Sequence, residues 1–237
     1  MLGSLVLTGC GSSDSGGQGT SSDTIKIALA GPQTGGSAEH GTRQRRGALL
    51  AVEEVNAAGG INGKMVELVV LDDRADPKEA ANIANRLASD PSVLGVIGHA
   101  NSSCTLAGAP IYNNAGLVHI TTSSSSPAIS DAGPYTFRLW NSDSYTYTYI
   151  TEAAIKAGYD KIGIIYENND YGRGGYEVIK RVLKENGIEP LVEEAYLLGE
   201  TKDFTSTITK LQNAGVEAVV AVSDETEIAL FLTQCKQ

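Results

Sequence analysis

Apolar positions along the chain fall into two alternating spacings. Short runs dominated by apolar, β-favouring residues occur at Ile25–Ala30, Val66–Leu71, Val93–Ile97, Leu117–Ile120, Lys161–Tyr166, Leu191–Tyr196 and Ala218–Val222. Runs of this length read as strands, and those without polar alternation suit a parallel sheet covered on both faces. Between them the apolar residues recur at helical spacing. Ala48, Ala51, Val52 and Val55 make one stripe, ended by Gly59 and Gly60. Asp76, Pro77 and Glu79 read as N-cap, N1 and N3 of a second helix, whose buried stripe is Ala80, Ile83, Ala84 and Leu87. Gly116, Gly158, Gly187 and Gly215 each close a helix before a strand, where a left-handed C′ residue is expected. The alternation predicts an α/β chain built on parallel, doubly wound sheets.

One composition shift interrupts the series. A strand at Phe137–Trp140 gives way at Asn141–Ser144 to a helix beginning near Tyr145. A boundary placed there divides the chain into a tether over residues 1–23, a first lobe over 24–141 and a second over 142–237. The last helix, from Glu227 onward, reaches Gln237 without a Gly or Pro stop.

The length of 237 residues, 41% hydrophobic and 19% charged, is ample for a buried core. A net charge of −10 opposes binding to nucleic acid or anionic membrane, which requires clustered Lys and Arg. The basic cluster Arg43, Arg45 and Arg46 reads as the solvated face of the first helix.

Of three cysteines, Cys104 and Cys235 read as small buried thiols. Cys10 ends an apolar run closing in Leu7-Thr8-Gly9, and Gly11–Asp23 after it contains no apolar residue. Apolar run, small residues, cysteine and polar tether is the order of a lipid-anchored exported protein, which makes Cys10 the expected lipid anchor.

Enzyme signatures are missing from the sequence. Gly31-Pro32-Gln33-Thr34-Gly35-Gly36-Ser37 follows the first strand but is neither G-x-G-x-x-G nor a P-loop. His40, His99 and His119 lack metal-ligand spacing and read as satisfied strand-end or loop histidines; no Gly-x-Ser-x-Gly elbow occurs. No catalytic residue, metal site or cofactor is therefore assigned. Uncharged polar clusters stand instead after two successive strands. Gly98-His99-Ala100-Asn101-Ser102-Ser103 precedes a helix, and Thr121–Ser126 is a dense run of hydroxyls. Ser102 either meets an anionic ligand at the helix N-terminus or caps the helix, and the serine run is either a site or a loop. Their joint placement at strand carboxyl ends favours a site.

The segments IKIALAGPQTGG, GALLAVEEVNAAGGINGK, DDRADPKEAANIANRL, GVIGHANSSCT, ITTSSSSPAI and YENNDYGRGG resemble, in order and spacing, the first part of leucine/isoleucine/valine-binding proteins of the type I periplasmic-binding fold. The resemblance implies a two-lobed α/β fold whose second lobe continues past Gln237. It implies an extracytoplasmic substrate-binding component of an ABC importer, which captures an amino acid by lobe closure and hands it to a membrane permease. By the same resemblance Ser102 receives the ligand carboxylate with Ser103 beside it. Ser123 and Ser125 bind carboxylate and ammonium, and Tyr171 descends over the ligand. Asp143 stands at the site edge, and His40 replaces an aromatic near the side-chain pocket. Asn101 and Ala75 replace two cysteines that are bridged in some relatives. The acidic ammonium partner falls beyond Gln237, leaving Asp224 or Glu225 to assist or to serve as helix-start charges. A sensor domain of the same fold and a doubly wound enzyme are the alternative readings.

Overall fold

The computed structural model describes residues 24–236. The tether and the lipid-anchor assignment at Cys10 lie outside the described residues. The chain runs β1 (Thr24–Gly31), α1 (Ala38–Ala57), β2 (Met65–Asp72), α2 (Pro77–Ala88), β3 (Val93–Gly98), α3 (Ser102–Ala115), β4 (Val118–Thr121), a 3-10 turn (Pro127–Asp131) and β5 (Thr136–Arg138). It continues through α4 (Asp143–Lys156), β6 (Ile162–Glu167), α5 (Asp170–Glu185), β7 (Val192–Tyr196), α6 (Thr205–Asn213), β8 (Ala218–Val222) and α7 (Glu225–Gln234).

Two parallel sheets result, a five-stranded one in the order β2-β1-β3-β4-β5 and a three-stranded one in the order β7-β6-β8. Interior strands are the best buried: Ala28–Ala30 of β1 and Ile162, Ile164 and Ile165 of β6 are almost fully buried. Under the first sheet, Ala28, Ala30 and Val96 pack on Ile83, Ala84 and Leu87 of α2 and on Tyr112 of α3. The second sheet has a core on each face. Ile162, Ile164 and Val222 meet Ile179 and Leu183 of α5, while Ile165 meets the aromatic cluster of Tyr196, Phe204 and Phe231. All four joint glycines take positive φ, between 67° at Gly116 and 92° at Gly158.

Some expectations are corrected. The Phe137–Trp140 strand is paired only over Thr136–Arg138, and Leu139 and Trp140 leave the sheet at 75% and 62% exposure. Ala51, expected in a buried stripe, is exposed because that face of α1 borders a cleft. Cys104 is buried, but Cys235 is exposed in the turn after α7, which itself begins at Glu225. Asp76 caps α2 as expected, accepting from the Lys78 N–H at 2.8 Å.

Candidate functional site

The carboxyl ends of the two sheets face each other across a cleft of about 910 Å³. Open α/β sheets bind ligands at this end because the loops and helix N-termini there present free backbone groups. The first sheet contributes the turn from Ile97 to Ser103, and Thr122, Ser123 and Ser125 after β4. Helix α1 adds His40, Arg43, Gln44, Ala48 and Ala51, and Trp140 follows β5. Opposite them stand Glu167, Asn168, Asn169 and Tyr171 after β6, Leu197 and Leu198 after β7, and Asp224 and Glu225 after β8.

The hydroxyl-rich loops hold one another in place. The His99 carbonyl accepts from Thr121 Oγ1 at 2.6 Å, Ser124 Oγ at 3.1 Å and Thr105 Oγ1 at 3.3 Å, which pins the loop after β4 to the start of α3. Ser123 Oγ donates to the Ala100 carbonyl at 3.0 Å. Ser102 Oγ accepts the Ser126 N–H at 3.2 Å, so its own proton stays available to a ligand acceptor. Ser102 is the first residue of α3 and not its cap; Asn101 stands at the N-cap without a side-chain cap bond. The uncapped first turn of α3 therefore offers N–H groups and positive dipole to an anion.

Ser125 Oγ donates to Asp143 Oδ2 at 2.9 Å, and the Ser125 carbonyl accepts the Asp143 N–H at 2.9 Å. Asp143 is 3% exposed and does not border the cleft; it stands one layer behind Ser125. Burial pushes its carboxyl up to about 6, against the opposing pull of the Ser125 bond and the Arg138 charge. Ser103 Oγ accepts the Asp170 N–H at 3.1 Å, joining the two sides of the cleft.

On the facing side, Tyr171 meets the Tyr147 hydroxyl at 2.8 Å, and burial keeps both phenols neutral. Glu167 accepts from the Asp224 N–H at 2.6 Å, Asn169 Nδ2 at 2.8 Å and the Tyr196 hydroxyl at 3.2 Å. Burial, and then the Asp224 carboxylate, raise its pKa above the usual carboxylate range. Asp224 is raised as well, first by burial, with His40 pulling the other way across the cleft.

The structure thus gathers His40, Ser102, Ser103, Ser123, Ser125 and Tyr171 around one cleft with Asp224 and Glu225, and sets Asp143 behind it. Arg43, Arg45 and Arg46 are exposed, as a solvated face requires, and Arg43 in addition reaches Glu225 at 3.1 and 3.2 Å and Glu39 at 2.8 Å. His99 bonds Asp73 at 2.6 Å and is satisfied, but buried His119 has no partner for either ring nitrogen among the described residues. Burial holds His119 neutral, with a pKa lowered to about 3. Sequence reading missed Glu167, Trp140 and Gln44. Glu167 carried the same signal as Ser102, a polar residue at a strand's carboxyl end; nothing local marks Gln44 or Trp140. Among the described residues no cluster of His, Cys, Asp and Glu could hold a metal, and no helix is long and apolar enough to cross a membrane.

The model of the periplasmic binding protein family matches residues 24–237. A leucine-, isoleucine-, valine-, threonine- and alanine-binding protein of Pseudomonas aeruginosa is 39% identical over 91% of this chain, which spans 58% of that relative's length. Among solved structures, the branched-chain amino acid transporter substrate-binding protein LivJ of Streptococcus pneumoniae, in complex with isoleucine, superposes with a TM-score of 0.78 at 29% identity. The match covers 90% of this chain and 61% of LivJ. The leucine-binding protein LivK of Thermotoga maritima gives 0.80 at 26% identity, over 90% of this chain and 60% of its own. The match over all described residues, a cleft between the carboxyl ends of two parallel sheets, and relatives named as binding proteins agree: this chain belongs to the periplasmic binding protein family.

Proposed function

We propose that the chain captures an amino acid, of the branched-chain class, as the extracytoplasmic substrate-binding component of an ABC importer. Residues 24–141 form one lobe and 142–237 belong to the other, and the ligand lies in the cleft between them. The observation that carries the reading is the uncapped first turn of α3 at Ser102, with the serine loop beside it and Tyr171 opposite across the cleft. A carboxylate placed there receives N–H groups, the Ser102 hydroxyl and the helix dipole together. Ser123 and Ser125 complete the head-group contacts, Asp143 fixes the Ser125 hydroxyl, and Asp224 faces the ammonium. Ala48, Ala51, Ile97, Trp140, Leu197 and Leu198 give the side chain an apolar wall, each buried methylene contributing about 0.8 kcal/mol. Capture requires no covalent step, and the partner is a membrane permease that recognises the closed form.

Calorimetry of the full chain against the common amino acids tests this. Leucine, isoleucine or valine should bind, and Ser102→Ala should weaken binding by about 1 to 3 kcal/mol with little change in the melting temperature. An unchanged affinity would remove Ser102 from the site. The anchor has its own test: mass spectrometry of membrane fractions should find Cys10 lipidated at the mature amino terminus, and an unmodified Cys10 still joined to Gly9 would refute it.

A further inference from the structure

Helix α5 carries three glycines in its first six residues, Gly172, Gly174 and Gly175. Glycine weakens a helix relative to alanine, so each position calls for a packing reason. Two find it close to home. A Cβ on Gly172 would lie 1.9 Å from the Glu167 carbonyl oxygen, and one on Gly175 would lie 2.7 Å from the Tyr147 ring and 2.8 Å from Val222. Gly174 differs, because its neighbours belong to the other lobe: a Cβ would lie 2.9 Å from Pro127 Cδ and 2.9 Å from Ser126 Oγ.

Gly174 shares a helix face with Asp170 and Tyr171, one turn earlier. On that face the Asp170 N–H reaches Ser103, Tyr171 borders the cleft, and Gly174 touches the loop whose Ser126 N–H is held by Ser102. Gly174 also borders an open crevice that continues along the helix, with Glu177, Val178 and Arg181 of α5 on one side and Ser126, Pro127 and Ala128 on the other. At this contact with the first lobe, α5 therefore presents a residue without a side chain.

We propose that Gly174 is a positioning residue for ligand capture: its bare backbone lets α5 seat on Ser126 and Pro127 and so brings Tyr171 down over the head-group site. This rests on the amino-acid-capture reading above. A side chain at 174 props the lobes apart without disturbing either core, so ligand escapes faster while each lobe stays folded.

The test is Gly174→Ala and Gly174→Val in the full chain, with leucine as the probe. Gly174→Ala should weaken binding roughly tenfold, through faster dissociation, and Gly174→Val more. The unfolding midpoint of Gly174→Ala should hold or rise, since alanine favours the helix. Adding Pro127→Ala, which removes Cδ, should restore most of the affinity. Affinity within twofold of the parent overturns the proposal, as does a loss that comes with a lowered midpoint and is not relieved by Pro127→Ala. If the parent binds no amino acid, the capture reading fails by itself. Small-angle scattering then decides the Gly174 assignment: an expanded Gly174→Val chain supports it, and a curve identical to the parent's overturns it.

Discussion

Gly172→Ala is expected to destabilise the chain by about 3 kcal/mol, in contrast to its neighbour at 174. Gly172 donates its N–H to Asn169 Oδ1 at 2.9 Å, the cap that opens α5 directly after β6. The turn from Glu167 to Gly172 is so tight that an added methyl group would sit 1.9 Å from a backbone oxygen and 2.7 Å from the Glu167 nitrogen. Backbone atoms of a central strand cannot swing aside as a flexible side chain can. The helix must therefore lift from β6, which loosens the contacts of Ile179 and Leu183 with Ile162 and Ile164. Urea unfolding monitored by circular dichroism measures the effect. A midpoint equal to the parent's would mean that the turn relaxes and that its glycine is not sterically required.

The second large effect is electrostatic and depends on pH. The Asp143 carboxyl is raised to about 6 in the folded chain, above its ordinary value of about 3.9. The folded state therefore holds a proton between pH 4 and 6 that the unfolded chain releases. Stability from this group is fully present below about pH 4 and is lost as pH rises through 6. Asp143→Asn keeps an acceptor for the Ser125 hydroxyl and removes the buried charge. Above pH 7 the variant should be more stable than the parent by up to about 3 kcal/mol, with the difference vanishing near pH 4. Denaturant midpoints at pH 4.5 and 7.5 provide the comparison. A variant less stable by the same amount at both values would show that the carboxylate stabilises through its contacts and not through its protonation. Binding separates the two roles open to Asp143. If it only orients Ser125, affinity for leucine changes little, whereas a direct ligand contact makes the asparagine variant bind markedly more weakly.

Much of this molecule was legible from local pattern. Seven runs rich in apolar, β-favouring residues marked strands that the structure contains; the signature is plainest for β6, buried on both faces, and weaker for β7, which carries Glu193 and Glu194 on a half-exposed strand. The helix joints were equally plain, since a left-handed residue is needed there and glycine adopts it at no steric cost. The hydroxyl clusters were readable for a related reason: residues at the carboxyl ends of parallel strands face a common edge once the sheet is parallel. The weaker readings lay where tertiary contact overrides local preference. Leu139 and Trp140 extend a strand-like run but leave the sheet, and Ala51 belongs to an amphipathic stripe whose outer edge meets a cleft instead of a core.

The sequence by itself determined the two-period alternation, the parallel sheets, the glycine joints and the serine-rich loops, all consequences of side-chain spacing and backbone sterics within a few residues. Only the tertiary structure decided which residues share the cleft. Glu167 and Asp224 are 57 positions apart and Arg43 and Glu225 are 182 apart, distances at which no local spacing rule operates. It also decided that Asp143 lies behind Ser125, that Ser102 begins a helix without capping it, and that Gly174, alike in sequence to Gly172 and Gly175, meets the opposite lobe. Those facts depend on how two sheets face each other, and the physical reason is that burial, steric contact and charge act through space, without regard to position along the chain.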